Sequence, residues 1–452
     1  MIGERSELNR MVDLERGTIS REVFVNDEIY QQEQERIFAR AWLFVGHESQ
    51  VPNPGDFFQS RMGEESVILV RDRKNQIHVF LNTCRHRGMK VCRYDLGNAL
   101  LFTCPFHGWS YDLEGKLVGV PNYRDAYDPW LDRSEWGLVE VPKIANFHGS
   151  IWATWDPDAS SFEEYMGGYA HYLGGLFDGY DGEEGGAEIL GGVHTWRLPC
   201  NWKFPGTSFG GDAAHGAITH RSTVIAGYGP AQKEGDRHEA RRPESRRYEI
   251  TEPGLGHACH VQVVPSDSAY VPTWGDLKIA DEYFREAHER RLKRDIDGPL
   301  RATSGSAGFF PNVSFSGGMR STIVVWHPAG TQMTEAWRYY LVDRKAPQEV
   351  KDALRLYHMR YGGPVGMTEQ DDMENWNYAS AASKGVIARR YPYNYQMTLE
   401  PKVLDVPIPG QATDVLSELA QRSRFARWLE FMQAENWSDI YPRNPALKRN
   451  GR

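Results

Sequence analysis

Cys84-Arg85-His86 and, after 17 intervening residues, Cys104-Pro105-Phe106-His107 decide how this chain is read. The order is C-x-H…C-x-x-H, so each half offers one thiolate and one imidazole. Two Cys and two His can hold a [2Fe–2S] cluster in which the thiolates take one iron and the imidazoles the other. That arrangement raises the reduction potential above that of an all-Cys cluster. Gly88 and Gly108 follow the ligand pairs, where the backbone has to turn tightly. Zinc is the alternative occupant. Structural zinc sites usually group their ligands as C-x₂₋₄-C and H-x₃₋₅-H, whereas here Cys and His are mixed within each half.

Around this motif the chain reads as β structure. From Trp42 to Trp155, short apolar runs such as Ser66-Val67-Ile68-Leu69-Val70 and His78-Val79-Phe80-Leu81 alternate with Gly, Pro, Asn and Asp turns. A small all-β domain over residues 40–156 is expected, with the metal motif in two of its loops. Trp109 and Tyr111 should pack beneath the metal.

The remainder, residues 1–39 and 157–452, reads as a mixed domain. Helices are expected over Asp27–Ala39 with Asn26 as N-cap, Phe162–Leu173, Gln348–Tyr361 and Asp414–Ala434 with Thr413 as N-cap. Thr322–His327 and Glu335–Val342 read as adjacent strands. Gly227–Thr303 is charged and rich in Gly and Pro, and reads as a lid or flexible insertion with one helix, Asp281–Arg294.

Composition narrows the partners. The 452 residues carry a net charge of −9 and no basic block, which argues against nucleic acid or an anionic membrane. No apolar run approaches a membrane span, and the polar segment Met1–Arg10 is not expected to be a signal peptide. Five Cys without a pairing pattern fit a reducing cytoplasm, with Cys92, Cys200 and Cys259 as ordinary thiols.

A one-electron relay needs an acceptor. The stretch Asp212-Ala213-Ala214-His215-Gly216-Ala217-Ile218-Thr219-His220 supplies two His five apart. On a regular helix they would point about 140° apart, so a π-type turn or a break at Gly216 is required to bring them together. Two His and one carboxylate form the facial triad of non-haem Fe(II) oxygenases. The acidic run Glu369-Gln370-Asp371-Asp372-Met373-Glu374-Asn375-Trp376 is the expected source of the carboxylate.

Taken together, these motifs resemble the α subunit of bacterial Rieske-type aromatic-ring-hydroxylating dioxygenases, of the naphthalene, biphenyl and phenylpropionate type. The resemblance runs from Ile29 to Trp437. It also covers Asn201-Trp202-Lys203, the G-D-x-x-H-x₄-H pattern at Gly211–His220, and Phe310-Pro311-Asn312. It implies an α+β protein, with an all-β Rieske domain and a helix-grip-like catalytic domain built on an antiparallel sheet. Cys84, His86, Cys104 and His107 would hold the cluster, and His215, His220 and Asp372 a mononuclear iron, with Asp371 as neighbour. Asp212 matches the family's bridging aspartate, which reaches a cluster ligand of the next subunit. A small β subunit in an α₃β₃ assembly, a ferredoxin and an NADH-dependent reductase are the implied partners, and O₂ the co-substrate. The chain departs from many relatives at Thr207-Ser208, where those have Glu-Asn.

The expected reaction is cis-dihydroxylation of a polycyclic or biaryl hydrocarbon. Ser208, Phe209, Gly216, Ala217, Phe310, Asn312, Gly362, Met367 and Thr368 are the expected pocket lining, mostly small or apolar. Gly362 and Thr368 stand where naphthalene-type relatives often have aromatic rings, and the loss of those rings is expected to open room for additional fused rings. An aromatic carboxylate, with Arg221 or Arg320 as its partner, and a monooxygenase or demethylase are the alternatives. A pure Rieske electron carrier would need a membrane anchor and an extra Cys in each loop, where Met89 and Phe106 stand.

Overall fold

The computed structural model describes residues 5–182, 185–225, 246–272, 274 and 277–440. The chain divides into two compact units, Phe38–Phe162 and a larger one of Met1–Ile37 with Glu163–Arg452.

Phe38–Phe162 is all but devoid of helix. Its strands are β1 (Leu43–His47), β2 (Asp56–Met62), β3 (Glu65–Arg71), β4 (Ile77–Leu81), β5 (Leu96–Asn98), β6 (Phe102–Thr103), β7 (Ser110–Tyr111), β8 (Leu117–Gly119), β9 (Lys143–Phe147) and β10 (Ser150–Thr154). They form three antiparallel sheets, ordered β4-β3-β2-β5, β9-β10-β1 and β8-β7-β6. In β3 the run Val67–Val70 is buried on both faces, and the centre of the unit packs Phe57, Ile68, Phe80, Phe102, Trp109 and Tyr111 together. One metal loop lies between β4 and β5 and the other between β6 and β7.

The larger unit starts from α1 (Asp27–Glu33), where Asn26 Oδ1 accepts from the Glu28 and Ile29 N–H groups. The predicted helix to Ala39 is not one α-helix, because a π-helical turn over Gln34–Phe38 finishes it. The expected helix Phe162–Leu173 is likewise broken. Gly167-Gly168 turn the chain through a 3₁₀ segment between Phe162–Met166 and Ala170–Phe177.

The core of this unit is a nine-stranded antiparallel sheet. Its strands are β11 (Ala187–Ile189), β12 (His194–Leu198), β13 (Arg246–Glu252), β14 (His257–Pro265), β15 (Leu300–Phe309), β16 (Val313–Ser316), β17 (Thr322–Pro328), β18 (Thr334–Asp343) and β19 (Gln411–Asp414). The order is β11-β18-β17-β16-β15-β14-β13-β19, with β12 also on β18. The expected pairing of the two strands after Thr322 is present, with Thr322 opposite Tyr340 and Pro328 opposite Thr334. The reading of 227–303 as an insertion is overturned. Residues 226–245 lie outside the described residues, but β13 and β14 are central strands and β15 follows them. Their alternation was hidden by charge: Glu249 and His257 are fully buried.

The helices that matter for the site are α2 (Lys203–Phe209), α3 (Gly216–Thr219), α4 (Arg221–Ile225), α5 (Lys278–Arg294), α6 (Gln348–Tyr361), α7 (Glu369–Ser383) and α8 (Leu419–Gln433). The predicted C-terminal helix begins later than expected, because Gln411–Asp414 pair with β13 as β19 and Thr413 is a buried strand residue. Leu416, at the start of the expected helix, is exposed. Helix α8 packs on β13 and β14. Its buried Arg422 donates to the Tyr395, Met397 and Thr398 carbonyls, so its charge is solvated by backbone.

Asn201-Trp202-Lys203 explains how α2 is anchored. Asn201 Oδ1 accepts from the Lys203 N–H. The Glu33 carboxylate is fully buried and accepts from Lys203 Nζ at 2.6 Å, Trp202 Nε1 at 2.8 Å and Trp428 Nε1 at 2.7 Å. One carboxylate thus joins α1, α2 and α8, with three donors to offset its desolvation.

Candidate metal centres

The two loops of Phe38–Phe162 share one design. The Cys84 N–H donates to Met89 O and the Gly88 N–H to Cys84 O; the Cys104 N–H donates to Trp109 O and the Gly108 N–H to Cys104 O. Each loop closes on a glycine in the left-handed region, φ 74° at Gly88 and 76° at Gly108. The two Cys are buried. The His86 and His107 rings lie 4.4 Å apart. Trp109 stacks on His86 at 4.9 Å, and Tyr111 Oη lies 3.3 Å from Cys84 Sγ, so both aromatics lie where the sequence placed them.

This donor set fits a cluster of two Cys and two His. His86 Nδ1 is buried without a hydrogen-bond partner, as a nitrogen facing a metal must be. Burial lowers the His86 pKa, aided by the charges of His107 and Arg87, and so favours the neutral ring that ligates. Burial raises the Cys104 thiol.

In the larger unit, His215 ends the turn before α3 and His220 ends α3 itself. The expected break at Gly216 falls instead at His220, whose φ of −92° and ψ of 17° separate α3 from α4. Four residues of helix followed by that turn bring the imidazoles together, with ring centroids 5.3 Å apart. Asp372, in the first turn of α7, meets both: its Oδ1 lies 3.3 Å from His215 Nε2 and 3.5 Å from His220 Nε2. Their ligand atoms lie within 4.8 Å of one another, close enough to hold a metal ion.

Each imidazole is held from behind as well. Asp212 Oδ2 lies 3.3 Å from His215 Nδ1, and Asp212 Oδ1 accepts from the His215 N–H. Asp371 Oδ2 lies 3.6 Å from His220 Nδ1 and accepts from Ser222 Oγ. The adjacent aspartates therefore face different nitrogens of His220, the buried Asp372 inward and Asp371 outward. Burial opposes the charged form of His215, but Asp212 and Asp372 outweigh it and raise its pKa to about 10. Asp212 is lowered despite burial, chiefly by His215. Thr207 and Ser208 act through backbone: Thr207 Oγ1 donates to the Lys203 and Phe204 carbonyls, and Ser208 O accepts from the Asp212 N–H.

The expected pocket residues fare unevenly. Phe209 closes α2 next to Trp326 at 5.7 Å and Trp376 at 6.3 Å, and Trp376 lies one turn beyond Asp372 on α7. Neither tryptophan is among the expected pocket residues, although Trp376 closes the acidic run and its spacing from Asp372 places both on one helix face. Ser208, Gly216, Met367 and Thr368 are part-exposed. Thr368 Oγ1 donates to Tyr361 O. The side chain of Ala217 lies outside the described residues. Three of the expected residues are packed among their neighbours. Phe310 is fully buried, its ring against Phe431 and beneath the Arg424 guanidinium, because the β15–β16 turn faces α8. Asn312 is buried and donates to Trp326 O, a scaffold role. A Cβ at Gly362 would lie 2.3 Å from Arg338, not in open space.

Comparisons with known proteins agree with these two centres. Residues 41–141 match the Rieske [2Fe-2S] domain family, and residues 184–404 the family of the ring hydroxylating alpha subunit, catalytic domain. The biphenyl dioxygenase subunit alpha of Metapseudomonas furukawaii is 35% identical, over 96% of this chain and 94% of its own. The benzene 1,2-dioxygenase subunit alpha of Pseudomonas putida is also 35% identical, over 96% and 95%. The structure of naphthalene 1,2-dioxygenase from Rhodococcus sp. bound to indole superposes with a TM-score of 0.81 at 32% identity, covering 95% of this chain and 98% of that one. The groups implied are one Rieske [2Fe–2S] cluster and one mononuclear iron, and both donor sets fit them.

Proposed function

The chain belongs to the family of Rieske-type ring-hydroxylating dioxygenase α subunits, and from that premise we propose that it cis-dihydroxylates a polycyclic or biaryl hydrocarbon as the terminal oxygenase of a multicomponent system. The observation that supports the substrate class is the aromatic cluster of Phe209, Trp326 and Trp376, whose rings contact one another and whose Trp376 lies one turn beyond Asp372 on α7. Rings of this kind offer a flat arene dispersion contacts and no charge.

In this reading residues 40–156 carry the cluster on Cys84, Cys104, His86 and His107, and residues 1–39 with 157–452 carry the iron on His215, His220 and Asp372. Iron bound there supplies the centre at which O₂ and the arene meet. The chain's own work is orientation. The Asp212 carboxylate faces Nδ1 of His215 and the Asp371 carboxylate faces Nδ1 of His220, so each favours a ring turned with Nε2 inward. Asp212 is part-exposed, so its other face is open to a cluster ligand of a neighbouring subunit, as a closed ring of α subunits requires. Electrons come from NADH through a reductase and a ferredoxin, a small β subunit completes an α₃β₃ assembly, and the enzyme works in the cytoplasm. No helix among the described residues is long and apolar enough to cross a membrane.

A carboxylated arene finds less support. The Arg320 guanidinium is already engaged by the rings of Trp274, Tyr357 and Tyr361 at 5.3–5.7 Å, and Arg221 is exposed. The test is turnover of one-ring, three-ring and carboxylated arenes under ¹⁸O₂. Two labelled atoms in a cis-diol of the three-ring hydrocarbon are expected. A single labelled atom, or a preference for benzoate-like acids, overturns the reading.

A further inference from the structure

Helix α7 begins without an ordinary cap. Thr368 stands at its N-cap, yet its hydroxyl donates to Tyr361 O and accepts nothing from the first turn. The anchoring is done by the next residue. Glu369 is buried, with one carboxylate oxygen on the Arg338 guanidinium and the other accepting from the Gly363 N–H. Arg338 is itself buried in the middle of β18, opposite Val324 of β17 and His194 of β12. Glu369 and Asp372 lie three apart, and the buried residues of α7 recur as Glu369, Asp372, Trp376, Ser380 and Ser383, so the two carboxylates share one face. Whatever fixes Glu369 therefore fixes the rotation and height of Asp372. The cost is visible at Gly362, where any Cβ would run into the same guanidinium.

We propose that Arg338 and Glu369 are positioning residues for the iron site, a buried clamp that ties the first turn of α7 to the sheet and sets where the Asp372 carboxylate meets His215 and His220. The inference rests on the reading of those three residues as the ligand set. The Gly362–Thr368 segment then has a structural role. Its loop is folded back by Gly366 N–H to Gly363 O, Met367 N–H to Arg360 O and Thr368 N–H to Tyr361 O, and the clamp locks its first residues to α7. A planar guanidinium meeting a carboxylate gives orientation as well as attraction, which a lysine at 338 would not reproduce.

The test uses the holoenzyme with Glu369→Gln, Arg338→Lys and Arg338→Met. Fe(II) affinity and the electron paramagnetic resonance spectrum of the nitric-oxide-treated ferrous site are measured, with the visible Rieske spectrum per chain as the control for folding. Fe(II) affinity is expected to fall about 10- to 100-fold in Glu369→Gln and Arg338→Met, with a broadened iron signal and an unchanged cluster spectrum. Arg338→Lys, which keeps the charge and is the safeguard against misfolding, should fall between these and the wild type. Wild-type affinity and line shape in Arg338→Lys and Glu369→Gln overturn the proposal. An Asp372→Ala control that binds iron normally overturns the ligand assignment beneath it instead, so the two failures are told apart.

Discussion

The Asp212 carboxylate lies 3.3 Å from His215 Nδ1, the ring nitrogen turned away from Asp372. A metal-binding imidazole held in this way has its tautomer and its angle fixed by a group that never touches the metal. Asp212→Asn is expected to keep the Rieske spectrum and bind iron, yet to slow cluster oxidation in a single turnover by about 10- to 100-fold. Wild-type rapid oxidation in stopped flow would remove Asp212 from the electron route.

The neighbouring aspartates should separate cleanly. Asp372 faces both Nε2 atoms, whereas Asp371 stands behind His220 at 3.6 Å from Nδ1. Asp372→Ala should therefore lose iron and product formation with its cluster spectrum intact. Asp371→Ala should retain iron, with affinity down by about tenfold. Iron analysis of the two purified variants decides the matter, and a reversed pattern means the ligand has been misassigned.

Glu249 makes stability depend on pH. Burial raises its pKa to about 8 from an ordinary 4.5, although the Ala420 N–H donates to it. The folded state thus holds a proton that the unfolded chain has released. Its contribution is fully present below the unfolded value of 4.5 and is lost as pH rises through the folded value of about 8. Glu249→Gln, neutral throughout, should match the wild type near pH 4.5 and exceed it at about pH 9 by on the order of a few kcal/mol. Denaturant midpoints at the two pH values are the measurement, and parallel curves would contradict the assignment.

Gly88 and Gly108 adopt the same backbone but have different surroundings. A Cβ at Gly88 meets nothing, whereas at Gly108 it would lie 2.9 Å from Pro121 Cγ. Gly88→Ala is expected to cost about 1–2 kcal/mol from the left-handed conformation alone, and Gly108→Ala more than that. Denaturation followed by loss of the visible cluster bands ranks them, and equal costs would show that Pro121 simply gives way.

Much of this architecture could be read in the sequence, and the exceptions have physical causes. The metal loops were legible because their ligands are local and their spacing is chemical. Helix α6 was legible end to end at Gln348–Tyr361, since its pattern is regular and Gly362 stops it. Strands β13 and β14 were not, because Glu249, His257 and His260 look like surface residues until a sheet and α8 close over them. The His215–His220 pair demanded a distortion whose need was clear from the spacing but whose place, at His220, depended on backbone angles. Gly362 was read as spare room because a missing side chain looks like space. Here a buried guanidinium fills it, and a bulky residue at 362 should disturb the clamp on α7 before it narrows any pocket.

The repeated loop of Cys84–Met89 and Cys104–Trp109 has a consequence for how the cluster is built. Each loop offers one sulfur and one nitrogen donor, and in a Rieske cluster the two sulfurs would serve one iron and the two nitrogens the other. Neither loop can complete the coordination of a single iron. A bound cluster would therefore be held by both loops at once, and neither loop alone could retain it.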